Sequence, residues 1–126
     1  DADVLTHAVM DAVLGALALG DIGQHFPDTD PAYAGADSLL LARAVAALVG
    51  EKGWHIENID ATVLCQKPKL APHIPAMRAH LAQAFGLPAE QGSVKATTEE
   101  HLGFTGEGLG IAAHAVALLE KNEAVC

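Results

Sequence analysis

The chain has 126 residues, 51% of them hydrophobic and 4% aromatic, and a formal net charge of −9 at pH 7. This length fits one domain with its own core, and no apolar run approaches the roughly 20 residues that cross a membrane. The acidic balance argues against a nucleic-acid backbone as partner. The two cysteines, Cys65 and Cys126, form no disulfide framework, so we expect a reducing, cytoplasmic compartment.

The first half of the chain predicts two helices separated by a long loop. Apolar residues at helical spacing predict a helix over residues 3–18. Glycine, proline and aspartate predict an irregular, non-helical segment over residues 20–37, and a loop of that length in a small domain is usually functional or disordered. Asp37 or Ser38 then caps a second helix that continues to about Glu51.

The second half predicts strands around a third helix. Residues 58–66 are rich in β-branched side chains and predict a strand. Pro75 suits the first turn of a helix that continues to about Phe85. Residues 93–97 predict a short strand. Residues 110–120 are Ala-rich and fit either a helix or a buried strand.

His7 and Asp11 are one helical turn apart and share a face of the first predicted helix. Together they could ligate a metal, or His7 could be a core residue and Asp11 a hydrogen-bond partner near a ligand. Zinc requires at least two further protein ligands, which this sequence does not visibly provide.

Two loops are candidates for binding a ligand. In the first, the carboxylate of Asp21 follows Gly20 and could accept hydrogen bonds from sugar-like hydroxyls, although a helix C-cap and turn explain it equally well. Residues 26–30 in the same loop also fit Asx and Ser/Thr turns. The second, residues 67–72, directly follows a predicted strand; it could contact a base and, through Lys69, a phosphate, or be a proline-rich connector.

Residues 97–106 combine hydroxyls, carboxylates and glycines. Thr97 and Glu100 fit a helix capping box. Gly103 and Gly106 argue against a helix there, and a carboxylate with two hydroxyls on a loop suits a hard cation that bridges phosphate oxygens.

Seven motifs, in order along nearly the whole chain, resemble those of the 2-C-methyl-D-erythritol 2,4-cyclodiphosphate synthase family. They are Asp1-Ala2-Asp3-Val4-Leu5-x-His7, Gly20-Asp21-Ile22-Gly23, Phe26-Pro27-Asp28-Thr29-Asp30, Gly35-Ala36-Asp37-Ser38, Pro68-Lys69-Leu70-Ala71-Pro72-His73-Ile74-Pro75, Val94-Lys95-Ala96-Thr97-Thr98 and Leu102-Gly103-Phe104-Thr105-Gly106. Single motifs of this kind are weak, whereas seven in order are specific.

The resemblance implies a single α/β (α+β) domain over residues 1–126, with a four-stranded mixed sheet, helices on one face, and a strand at residues 110–119. It implies a homotrimer with active sites between subunits, and we expect the family's N-terminal strand to precede Asp1. The family acts on 4-diphosphocytidyl-2-C-methyl-D-erythritol 2-phosphate: the 2-phosphate attacks the β-phosphorus, CMP leaves and a cyclic diphosphate forms, in the non-mevalonate isoprenoid route.

The resemblance also assigns roles to residues. His7 corresponds to one ligand of a zinc ion, one per subunit, whose other ligands are expected before Asp1. Glu100 corresponds to the ligand of a magnesium or manganese ion, and Thr98 to a polarising hydroxyl. The implied substrate contacts are Asp21, Ile22, Gly23, Phe26, Pro27, Asp28, Thr29, Asp30, Cys65, Gln66, Lys67, Pro68, Lys69, Leu70, Ala71, Thr97, Thr98, Glu99, Glu100 and Phe104.

The chain departs from the family pattern at Glu99, Glu107, Leu109 and His114. Glu107 replaces an arginine that in some members lines a prenyl diphosphate cavity on the trimer axis, so the resemblance does not extend to that ligand. Two other classes fit the sequence: a non-catalytic trimeric relative that binds metal or nucleotide, and a metal phosphohydrolase that releases inorganic phosphate.

Overall fold

The computed structural model of the protein describes residues 2–27, 37–65, 71–97 and 111–123. In chain order, its helices and strands are α1 (Ala2–Ala16), α2 (Ile22–His25), α3 (Ser38–Glu51), β1 (Trp54–Cys65), α4 (Ile74–Phe85), β2 (Gly92–Thr97) and β3 (Ile111–Lys121). Short 3-10 turns over Ala71–His73 and Ala89–Gln91 precede α4 and β2.

The described strands form a mixed sheet in the order β2-β1-β3. The central strand β1 is parallel to β2 and antiparallel to β3, so the Ala-rich segment at residues 110–119 is a strand, as the resemblance implied. The predicted fourth strand is wrong for the described residues, which contain three. The other described segments are Ala- and Leu-rich helices or short turns. They lack the alternating β-branched residues that would favour a further strand at the edge of the sheet.

A bulge in β1 explains why that strand begins four residues before its predicted start. The pairing with β3 shifts register between Ile56 and Asn58, which leaves Glu57 as the extra residue. Ile56 and Ile59 therefore both point into the core, three positions apart, and the usual alternation resumes after Ile59. Because the alternation of buried and exposed side chains shifts at the bulge, residues 54–57 do not continue the strict alternation of the rest of the strand.

The helices cover one face of the sheet, as the resemblance implied. Helix α1 packs mainly on β3, α3 on β1 and α4 on β2. The buried residues that share this layer are Leu5, Val9, Met10, Val13, Leu14, Ala42, Val45, Val49, Ile56, Ile59, Ala61, Val63, Met77, Leu81, Ala84, Phe85 and Val94. The opposite face has no described helix over it, and two of its β3 side chains are largely exposed: Val116 at 71% and Leu118 at 61%.

Local signals set most helix ends. Asp37 caps α3 by accepting a hydrogen bond from Leu39 N–H at 2.9 Å, and α4 has a proline in its first turn, both as predicted. Helix α1 ends at Ala16, two residues before its predicted end, because Ala18 adopts a left-handed φ of 57°. Leu19 N–H then bonds Leu14 O, and Ala18 N–H bonds Gly15 O, which together form a Schellman motif.

The prediction that residues 20–37 are non-helical is wrong at Ile22–His25, which form one helical turn. Its Asp21 cap satisfies the backbone of a segment too short for propensity to predict. Residues 28–36 of the same prediction lie outside the described residues. None of the described helices has both the length and the apolar character needed to cross a membrane.

Candidate active site

The loop that contains Asp21 is anchored to helix α1. Asp11 Oδ1 accepts a hydrogen bond from Ile22 N–H at 2.9 Å, across eleven positions of sequence. Asp21 Oδ1 accepts one from Gln24 N–H at 3.0 Å, so Asp21 is the N-cap of α2 and not the C-cap of α1. Because the Asp21 carboxylate is exposed, its second oxygen is available to a hydroxyl of a ligand.

His7 lies one helical turn before Asp11, and its side chain is exposed. Its Nε2 atom is 3.3 Å from the hydroxyl oxygen of Ser38, the first residue of α3. Asp11 is thus the partner of Ile22, and Ser38 is the partner of His7. The sequence predicted Ser38 as a possible helix cap and as part of a family motif, but not as a partner of His7. Because Asp37 caps α3, the Ser38 hydroxyl is left for the imidazole.

A second group of predicted residues meets at one edge of the sheet. Strands β1 and β2 are parallel, and their last register pair joins Leu64 to Thr97. Cys65 and Thr97 therefore lie at neighbouring strand ends, the position where loops of α/β sheets commonly bind ligands. Thr97 is the last residue of a strand.

The chain matches the family model described as the YgbB family over residues 1–120. It belongs to that family. The match spans the helix that carries His7, the Asp21 loop and the strand ends at Cys65 and Thr97. The family resemblance predicted from the seven motifs is therefore confirmed.

Members of known function and structure are similar over nearly the whole chain. The 2-C-methyl-D-erythritol 2,4-cyclodiphosphate synthase of Geobacter sulfurreducens is 60% identical over 122 residues, which are 97% of this chain and 78% of that protein. The bifunctional IspDF of Campylobacter jejuni has a TM-score of 0.88 at 41% identity, covering 94% of this chain and 32% of that one. The CDP complex of Plasmodium falciparum IspF has a TM-score of 0.83 at 30% identity, covering 95% and 72%.

Phe26 is partly buried against the hydrophobic core, and its N–H donates to Ile22 O at 2.7 Å, so it also has a structural role. Pro27, which follows it, is half-buried. Several predicted contact or catalytic residues lie outside the described residues: Asp28, Thr29, Asp30, Gln66, Lys67, Pro68, Lys69, Leu70, Thr98, Glu99, Glu100 and Phe104.

The described residues near His7 fit a zinc ion only in part. An exposed imidazole is a suitable zinc ligand, and of the nearby Asp11 carboxylate Oδ1 already accepts a backbone hydrogen bond. Among the described residues, the group of three His, Cys, Asp or Glu side chains close enough to share an ion does not include His7.

Proposed function

We propose that the chain cyclises 4-diphosphocytidyl-2-C-methyl-D-erythritol 2-phosphate to 2-C-methyl-D-erythritol 2,4-cyclodiphosphate with release of CMP. This makes it a phosphorus–oxygen lyase of the non-mevalonate isoprenoid pathway. The observation that carries the proposal is the 60% identity to the Geobacter sulfurreducens synthase over 97% of the chain. A cytoplasmic location remains a prediction of the cysteine content.

The reaction exchanges one phosphoanhydride linkage for another without oxidation or reduction. An oxygen of the 2-phosphate forms a bond to the β-phosphorus, and the bond from that phosphorus to the bridging oxygen breaks. The bridging oxygen leaves with its electron pair as part of CMP. Two anionic groups must approach each other, so the protein has to position them and offset their repulsion.

The anchored loop supplies part of that positioning. In our proposal the second oxygen of Asp21 accepts hydrogen bonds from methylerythritol hydroxyls, and the backbone at Gly23 lies against the same group. Asp11 acts through Ile22 by holding the loop on α1. The cytidine monophosphate part would be bound by residues 65–71 and by Thr97. Both ends of the substrate would then be held in place.

Membership of this family implies that the protein uses a divalent metal. Which metals it uses is part of the proposal. We assign His7 as one zinc ligand and Glu100 as the ligand of magnesium or manganese. A cation at Glu100, when bound, would neutralise phosphate charge, and the Thr98 hydroxyl would hydrogen-bond the charge that develops.

The decisive experiment supplies the diphosphocytidyl substrate to the complete protein and follows products by phosphorus NMR and CMP release. Cyclic diphosphate with equimolar CMP supports the proposal. Glu100→Gln should lower turnover by about 10²–10³-fold while the protein stays folded. Inorganic phosphate in place of CMP would indicate a phosphohydrolase, and tight nucleotide binding without any product would indicate a non-catalytic relative. A Glu100→Gln variant that melts earlier but turns over normally would reduce Glu100 to a structural role.

We further propose a homotrimer with active sites between subunits, formed through the open face of the sheet. Val116 and Leu118 expose apolar surface there, and such patches mark interaction sites. Leu118→Lys should lower the mass measured by light scattering. Leu40→Lys, at an equally exposed position on α3, should leave it unchanged. Equal masses for both variants would count against this face.

Mixed trimers of His7→Ala and Lys69→Ala subunits should recover some activity if the sites are shared.

A further inference from the structure

A cluster of metal-ligating side chains lies at the start of β1, far from the strand ends at Cys65 and Thr97. His55 and Glu57 come from β1 and Glu120 from β3, and one ligand atom of each lies within 4.8 Å of the other two. Ten residues of strand separate His55 from Cys65, or roughly 33 Å at about 3.3 Å per residue. Within one subunit the cluster is therefore separate from the part of the candidate active site at Cys65 and Thr97.

The pairing of the two strands builds this cluster. His55 and Glu120 are direct cross-strand partners, so their side chains leave the sheet on the same face. Glu57 is the extra residue of the bulge, and its Oε2 lies 3.1 Å from His55 Nε2. Bulges of this kind re-aim side chains at functional positions.

Asn122 orients the imidazole toward the two carboxylates. Its Oδ1 lies 2.6 Å from His55 Nδ1, and its own backbone N–H donates to Gly53 O at 2.8 Å. An amide oxygen accepts only, so Nδ1 carries a proton. In the neutral ring, the lone pair of Nε2 then faces the Glu57 carboxylate. Two electron-rich groups at this distance are stabilised by a proton or a metal cation between them.

The electrostatics agree with this geometry. The hydrogen bond to Asn122 is the main cause that raises the pKa of His55, and Glu57 and Glu120 raise it further despite some desolvation. These groups favour positive charge at the ring. Metal binding requires the neutral imidazole, so protons compete with an ion for this ring.

We propose that His55, Glu57 and Glu120 bind a divalent transition metal of the zinc class, with Asn122 as the positioning residue. One imidazole nitrogen and two carboxylate oxygens match zinc, and a water would complete a tetrahedron. Calcium and magnesium prefer all-oxygen sites, so the imidazole disfavours them. A metal-bound histidine usually donates its second ring N–H to a carboxylate, a backbone carbonyl or water, and here the side-chain oxygen of Asn122 is the acceptor. The ion would join the start of β1 to the end of β3.

The test measures zinc binding to the metal-free complete protein in a His7→Ala background, which removes the other proposed zinc site. We expect one zinc per subunit by calorimetry, and a shift of the His55 Nε2 resonance while the Nδ1 proton is kept. Glu120→Gln should weaken binding at least tenfold, and Asn122→Ala about 10–100-fold. Glu123→Gln, an exposed acid three residues beyond Glu120, is the matched control and should bind like its parent.

Three results would overturn the proposal. One is the absence of saturable zinc binding in the His7→Ala background. Another is equal weakening by Glu120→Gln and Glu123→Gln, which would mean that general surface charge attracts the ion. The third is a His55 resonance that does not move when zinc binds, which would exclude the imidazole as ligand. Circular dichroism spectra that match between variants exclude misfolding as the cause of lost binding.

Discussion

Removal of the Asp11 carboxylate tests how the candidate active site is positioned. In Asp11→Ala, Ile22 N–H loses the acceptor that lies 2.9 Å away, and α2 loses its described hydrogen bond to the side chains of α1. Hydrogen bonds to charged groups contribute about 1.5–3 kcal/mol, but water can replace an exposed acceptor. We therefore expect a loss at or below the lower end of this range, about 1–1.5 kcal/mol, which lowers the equilibrium constant for anchoring the loop roughly tenfold.

Steady-state kinetics of CMP release by the complete protein measure this effect. Asp11→Ala should lower kcat/KM by up to about tenfold, mostly by raising KM, because the Asp21 loop would bind substrate and transition state alike. Asp11→Asn keeps an oxygen acceptor of the same shape without the charge and should retain most of the activity. Unchanged kcat/KM in Asp11→Ala would refute the positioning role. Equal losses in both variants would assign the effect to the charge and not to the contact with Ile22.

Two further predictions concern left-handed backbone near this loop. Gly20 has a φ of 92°, and a Cβ there would collide with the side chain of Gln24, so Gly20→Ala should destabilise the protein by about 1–2 kcal/mol; a thermal midpoint equal to that of the parent would contradict this. Ala18→Gly removes the strain of a left-handed alanine and should stabilise by about 0.5–1 kcal/mol, measured by urea unfolding. A destabilised Ala18→Gly variant would mean that the lost methyl contacts outweigh the strain.

Where the determinants are local, the sequence predicted the structure closely. Helix α3 begins after Asp37 because that side chain caps it, and α4 contains Pro75 in its first turn. The family could also be predicted, because motifs in a fixed order need no contact information. The strand assignment of residues 110–119 came from the resemblance; their periodicity alone left helix and strand open.

Tertiary structure decided what depends on residues distant in sequence. An Ala-rich segment extends as β3 because β1 offers it an antiparallel ladder, and the bulge at Glu57 follows from the pairing between those strands. Asp11 and Ile22 meet because the chain reverses after α1. His55 and Glu120 are 65 positions apart, and strand register alone brings them together. Local propensity contains no term for such pairings, since they form only when burial of the shared core offsets the entropy of closing long loops.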